Sequence, residues 1–306
     1  MRKLKIFLIG VGILLILLVI VGIGGYYYIQ NSYNYKPSKS FPSLDPIEIT
    51  DLVLGKQDRI NILFFGVDER SYDIGRSDTI IFISLNLKDK HVDLLSIPRD
   101  SRVIIPGRGY DKINHAYHYG GVDLAVKTVE EFLGVPINYY AKMNFQQFEK
   151  LIDAIGGVEI EVEKPMYYTD RTDKFYVRLT PGKHHLNGKE ALGYVRFRHD
   201  PLGDLGRIER QQKFLKALYN QLKSKITLTD LPKYINLVGS TIETNMSFYE
   251  ALYLASRFWG IEEENIKMYT MPGVSENING ISYVIPDLKA IEDLKKSIFE
   301  EKNEKS

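Results

Sequence analysis

Residues 6–29 read IFLIGVGILLILLVIVGIGGYYYI, a run without one charged side chain. About 20 apolar residues are enough to cross ~30 Å of bilayer hydrocarbon as a helix. A buried helix of a soluble domain should instead show a polar face. Arg2, Lys3 and Lys5 precede the run, and the next charge is Lys36. The positive-inside tendency therefore predicts a cytoplasmic N-terminus, one membrane span and an extracellular remainder. Tyr26, Tyr27 and Tyr28 fall where an outer aromatic belt forms. A cleaved signal peptide is the competing reading, but the run is longer than a usual signal core and no small-x-small site follows it. The expected organisation is a cytoplasmic N-terminus (1–5), a transmembrane signal-anchor (6–28), a stalk carrying Pro37, Pro42 and Pro46 (29–58), a folded domain (59–295) and a frayed C-terminus (296–306).

The remainder is long enough for one large domain or two small ones. In the whole chain of 306 residues, Lys+Arg is 40 and Asp+Glu is 39, a formal net charge of +1. That balance supplies no basic field, so nucleic acid is not an expected partner. Cysteine is absent, which excludes disulfides, thiol nucleophiles and thiolate metal sites. His184, His185 and His199 are not spaced like a zinc site.

INILFFGVD (60–68), TIIFISLNL (79–87) and HVDLLSIP (91–98) are compact apolar runs that predict strands of a largely buried sheet. Helices are expected over 122–133, over 145–155 after Asn144, and over 187–197, 205–222 and 248–258. VEIEVE (158–163) alternates as a half-exposed strand, and short strands are expected near 266–271 and 281–284. Mixed strands and helices in this order predict a layered α/β domain.

Charge gathers where these apolar elements end. In GVDERSYDIGRSDT (66–79), Asp68 and Asp78 emerge from neighbouring strand ends. Two carboxylates meeting at an oxygen-rich site suit Mg²⁺ bridging phosphate, while a solvated loop with Asp68 capping a turn explains the same residues. In SIPRD (96–100), followed by YDKINHAY (110–117), Arg99 stands at the end of a buried strand just after a proline. It is either a phosphate ligand or half of a structural ion pair. In VRFRHDPLGDLGRIERQQ (195–212), Arg196, Arg198, Arg207 and Arg210 fall within fifteen residues around a helix start. A helix N-terminus favours anions, whereas a helix face paired with Asp200, Asp204 and Glu209 accounts for one or two of the arginines. Together the arginines and the two acids suit a metal-bridged pyrophosphate.

These motifs, with KIN and LNGKEALGYVRFRHD between them and in this order after one N-terminal apolar run, resemble the LytR-CpsA-Psr family over roughly 59–295. The resemblance implies a central mixed β-sheet between helices in αβα layers, with a long hydrophobic cleft for a polyprenyl chain. It implies a phosphotransferase that moves wall teichoic acid, capsule or a similar glycopolymer from a polyprenyl-pyrophosphate carrier to the C6 hydroxyl of N-acetylmuramic acid in peptidoglycan. The partners implied are the lipid-linked glycan, the peptidoglycan acceptor and the plasma membrane. Carried onto this sequence, Mg²⁺ (or Mn²⁺) falls on Asp68 and Asp78. The pyrophosphate falls on Arg76, Arg99, Arg196, Arg198 and Arg207, with Arg210 one turn beyond. Arg99, Arg198, Asp78 and Asp100 are the expected catalytic set, Asp100 either orienting Arg99 or helping to deprotonate the acceptor. The rival readings are a lipid-pyrophosphate hydrolase using the same site, a membrane-bound transcriptional regulator and a non-catalytic lipid-binding module.

Overall fold

The computed structural model describes residues 49–68, 75–170, 175–198 and 203–299. The predicted membrane span over 6–28 lies outside these residues, as do parts 69–74 and 199–202 of the charged motifs. Among the described residues no helix is long and apolar enough to cross a membrane.

A short helix, α1 (Ile49–Val53), precedes β1 (Arg59–Val67), β2 (Ser77–Asn86) and β3 (His91–Ser96). The hairpin β4 (Arg102–Ile105) and β5 (Gly109–Lys112) leads into α2 (His115–Leu133), which kinks where Gly121 takes φ +62. Next come β6 (Tyr139–Asn144), α3 (Phe145–Ala154), β7 (Val158–Val162), β8 (Met166–Asp170), β9 (Phe175–Leu179) and β10 (Gly182–Leu186). Helices α4 (Gly188–Arg196), α5 (Gly203–Lys225) and α6 (Leu231–Thr241) follow, then β11 (Glu243–Thr244) and α7 (Phe248–Phe258). The chain continues through β12 (Ile266–Thr270), the hairpin β13 (Gly273–Ile278) and β14 (Ile281–Pro286), and α8 (Leu288–Phe299).

The central sheet has the order β11-β6-β1-β2-β3-β12. It is mixed: β1 runs parallel to β6 and antiparallel to β2, and β12 runs parallel to β3. Alternation along β1 sorts side chains to two faces. Leu63, Phe65 and Val67 join a core with Val126 and Val129 of α2 and Ile291 of α8. Phe64 and Gly66 point to the other face, where α3, α4 and α5 stand off the sheet and leave a cavity. Helices on both faces of a mixed sheet agree with the expected αβα layering.

The folded part begins earlier than the stalk boundary at 58 implied. Leu52 of α1 is fully buried against Ile60, Leu85 and Leu254, and its carbonyl accepts the Tyr253 hydroxyl at 2.9 Å. At the other end α8 carries buried Ile298 past the expected limit of 295, because its apolar face completes the core beneath the sheet.

Two of the three helices that wall the cavity, α3 and α4, start on reciprocal caps. Asn144 Oδ1 accepts from the Gln147 amide at 2.9 Å while Gln147 Oε1 accepts from the Asn144 amide at 2.8 Å. Asn187 and Glu190 repeat the arrangement for α4, both at 3.0 Å. Such boxes satisfy amides that a helix start leaves open. The two helices also meet at Gly188, whose amide donates to Asp153 Oδ1 at 2.7 Å. A β-carbon at Gly188 would fall onto the Glu149 backbone. Gly188→Ala is expected to force α3 and α4 apart and cost about 1–3 kcal/mol of stability. Denaturant unfolding measures this, and an unchanged midpoint would show that the contact has slack.

Candidate active site

The site forms where β1 and β2 end. Gly66 pairs with Thr79 and Val67 with Ser77, so Asp78 is the extra residue of a β-bulge. A bulge re-aims the side chain it carries, and the Asp78 carboxylate lies at the mouth of the cavity. Gly66 permits the close pairing, since a β-carbon there would sit 3.0 Å from that of Thr79. The next strand delivers Arg99. β2 and β3 pair antiparallel through Ile81 and Ser96, and the ladder runs one step further as the Ile97 amide donates to the Ile80 carbonyl at 2.9 Å. Two residues on, the Arg99 guanidinium forms an ion pair with the Asp78 carboxylate.

Asp78 is held from the helix side as well. Arg207, on the second turn of α5 and only 4% exposed, donates from Nη2 to the Asp78 carbonyl at 3.0 Å. Gln211, one turn later, donates to Thr79 Oγ1 at 3.0 Å. Arg196 ends α4 with its guanidinium stacked 4.1 Å over the Phe145 ring, a cation–π contact that fixes it beside the opening. Arg198 follows, exposed at the same mouth.

Behind this mouth the cavity has a volume of about 270 Å³. Phe64, Ile81, Met143, Phe148, Phe214 and Leu218 are among the side chains that line it. Among the described residues its charged lining side chains are Asp78, Arg196, Arg198 and Arg207, all near the strand ends. An apolar slot with a cationic mouth matches an amphiphile whose tail is hydrocarbon and whose head is a polyanion.

The expected site residues thus divide. Asp78, Arg99, Arg196, Arg198 and Arg207 come together around one opening. The Asp68 amide donates to the Arg76 carbonyl at 3.2 Å, so their backbones pair across the motif. The Arg76 side chain is exposed and does not line the cavity. Asp100 accepts from Lys112 Nζ at 2.7 Å and lies 3.7 Å from Arg99 Nε, which suits it to orienting the arginine. Arg210, expected on the pyrophosphate, is turned inward and is 3% exposed. It donates to the Phe197 carbonyl and lies 3.8 Å from Glu163. Arg207 is nearly as buried, but it lines the cavity and Arg210 does not, since residues three apart on α5 diverge by about 60° around the axis. Burial pushes the Glu163 carboxyl up, but its own backbone amide, Lys213 and Tyr194 outweigh burial and hold it below the usual range. Arg210 is therefore tied between an ionised acid and the peptide that links Arg196 to Arg198.

Two residues escaped the sequence reading. Gln211 had a signal, as it lies one helical turn after Arg207. Lys112 had only its place in KIN, and nothing in the sequence alone pairs it with Asp100.

Among the described residues no group of three or more acidic or imidazole side chains gathers to hold a metal ion, and the Asp78 carboxylate is held by Arg99. The chemistry of two carboxylates, Asp68 and Asp78, with no thiolate is that of a hard-cation donor pair.

Comparison with known proteins gives the lineage. The chain is 34% identical over 288 residues to the polyisoprenyl-teichoic acid–peptidoglycan teichoic acid transferase TagU of Bacillus subtilis (strain 168), spanning 92% of each chain. Its fold superposes on the crystal structure of B. subtilis TagV with a TM-score of 0.70 at 33% identity, covering 79% of this chain and 96% of that one. It also superposes on the LytR-CPS2A-psr family protein YwtF (TagT) with bound octaprenyl pyrophosphate lipid, with a TM-score of 0.61 at 32% identity and coverage of 79% and 89%. The LytR_cpsA_psr family model matches residues 27–300. The chain belongs to the LytR_cpsA_psr family.

Proposed function

We propose that this protein transfers an anionic glycopolymer from a polyprenyl-pyrophosphate carrier to the C6 hydroxyl of N-acetylmuramic acid in peptidoglycan. The observation that carries the reading is the joining of an apolar cavity to a mouth bearing Asp78, Arg99, Arg196, Arg198 and Arg207. A polyprenyl chain suits the first and a pyrophosphate the second. The name of the Bacillus subtilis relative, a peptidoglycan teichoic acid transferase, and the octaprenyl pyrophosphate bound in TagT support the same assignment.

In this mechanism the arginines draw the diphosphate oxygens to the mouth. Arg99 exchanges part of its bond with Asp78 for a phosphate oxygen, and Asp100, braced by Lys112, keeps the guanidinium aimed. The acceptor oxygen forms a bond to the sugar-linked phosphorus, and its proton passes to the Asp100 carboxylate or through water to the departing phosphate. The bond from that phosphorus to the bridging oxygen breaks, and polyprenyl phosphate leaves with the electron pair. Preorganised guanidinium groups stabilise the charge that grows on the phosphoryl oxygens. Asp68 and Asp78 would hold Mg²⁺, which neutralises charge on the pyrophosphate when bound. The pyrophosphate bond supplies the driving force, so the reaction needs no ATP and suits the outer face of the plasma membrane. The uncharged run 6–28, preceded by Arg2, Lys3 and Lys5, supports a single span with the N-terminus in the cytoplasm and the catalytic domain outside.

Arg99→Ala and Arg198→Ala are each expected to lower transfer about 10²–10³-fold while the domain stays folded. A purified transfer assay that detects the muramoyl-linked product, run beside circular dichroism, measures both quantities. Full activity in either variant removes that residue from the mechanism, and release of free polymer without a muramoyl product would favour hydrolysis. Asp68→Asn should weaken divalent-ion binding by roughly tenfold or more, read by titrating Mn²⁺ and following its electron paramagnetic resonance. Equal Mn²⁺ affinity in the variant and the parent would move the metal elsewhere. Protease added to intact protoplasts should digest the domain. Protection until lysis would reverse the orientation and reopen a regulatory role.

A further inference from the structure

The transfer reading leaves the acceptor without a seat, and the fold offers one across the strand ends from the cavity. Phe64 and Gly66 of β1 face the cavity, whereas Phe65 and Val67 face the core shared with Val103 of β4 and Ala116 of α2. The β4–β5 hairpin and the start of α2 therefore pack against the face of the sheet opposite the lipid-shaped slot. A chain of charge connects the two sides. Arg99 binds Asp78, Asp100 lies 3.7 Å from Arg99 Nε, Lys112 donates to Asp100 at 2.7 Å, and the Lys112 ammonium lies 5.7 Å from the ring centre of Tyr283 on β14.

Where this chain reaches the surface, cations and rings alternate. The Arg102 guanidinium sits 4.2 Å over the Tyr110 ring, and Tyr110 is 60% exposed. Arg108 sits 4.6 Å over the exposed ring of Tyr119. The Tyr119 hydroxyl donates to Asp111 at 2.8 Å, which fixes the ring's attitude. The hairpin is tied to β14 through the bridge from Ser101 to Val284, so these groups share one frame. An exposed tyrosine face accepts the apolar C–H side of a sugar ring, and an adjacent guanidinium takes a carboxylate. Tyrosine and arginine are also the residues on which docking energy concentrates.

We propose that this Tyr110–Arg102–Arg108–Tyr119 face is the docking surface for the acceptor, an amino-sugar strand bearing carboxylates. The proposal rests on the transfer reading above and adds where the second substrate binds. Position favours the acceptor over the donor's own polymer. The leaving polyprenyl phosphate stays with its hydrocarbon on the cavity side, and displacement at phosphorus keeps the attacking and leaving oxygens roughly in line. The nucleophile must then arrive from the side away from the cavity, which is the side of β4, β5 and the first turn of α2.

The test uses the full chain in detergent micelles, titrated with soluble, uncrosslinked peptidoglycan fragments and separately with octaprenyl pyrophosphate. The Tyr110→Ala, Arg108→Ala double variant should bind the fragments about tenfold more weakly and octaprenyl pyrophosphate as the parent does, with an unchanged melting temperature. Tyr110→Ala alone, at an exposed ring, provides a second variant if the pair lowers the melting temperature. Equal fragment affinity in variant and parent overturns the proposal, as does a parent that binds no fragment. Tighter binding of a free polyol-phosphate polymer than of the fragments, lost in the same variant, overturns it too and assigns the face to the donor. Failure of the parent to bind octaprenyl pyrophosphate strikes instead at the transfer reading, whatever the fragments do.

Discussion

Asp78 is gripped twice, and the arrangement of the site follows from that. Its carboxylate holds Arg99, three residues past the end of β3, and its carbonyl holds Arg207 from α5. The first bond ties together two strand ends, and the second ties the helix layer to the sheet. Both depend on the bulge that places one unmatched residue between Val67–Ser77 and Gly66–Thr79. A regular ladder would have sent the side chain of residue 78 to one face and kept its carbonyl for the neighbouring strand. The irregularity frees both groups at once, at the point where cavity and solvent meet.

The cost of gathering guanidinium groups is mutual repulsion and lost hydration, and the fold offsets it locally. Arg207 has the Asp78 carbonyl, Arg196 has the Phe145 ring, and Arg210 has Glu163 and the Phe197 carbonyl. Each partner comes from a different element, so no single helix has to carry the cluster. The capped starts of α3 and α4 and the Gly188 contact set the distance between the walls on which two of these partners ride.

Much of this was legible in the sequence because it follows from local rules. The apolar runs of β1, β2 and β3, the cap at Asn144 and the alternation of VEIEV all read directly as elements. The motifs named Asp78, Arg99, Arg196, Arg198 and Arg207 together. What stayed hidden depends on direction and on distant partners. The inward turn of Arg210 depends on Glu163, almost fifty residues earlier in the chain. The α1 boundary depends on Leu52 meeting Leu254. The β4–β5 hairpin carried a readable Pro106-Gly107 turn, with Gly107 at φ +75, but its four-residue strands are too short for periodicity to stand out. The surface tyrosines over which arginines lie were indistinguishable from ordinary ones.

The stacking of Arg196 on Phe145 has a thermodynamic corollary. The ring belongs to the wall of the slot and the guanidinium to its rim, so a tail that displaces the ring also displaces the charge. Occupancy of the two compartments is then linked, and linkage is reciprocal: a head group that fixes the guanidinium alters the affinity for the tail by the same factor. A detached head and a detached tail, offered together, would report that coupling as a change in each other's affinity.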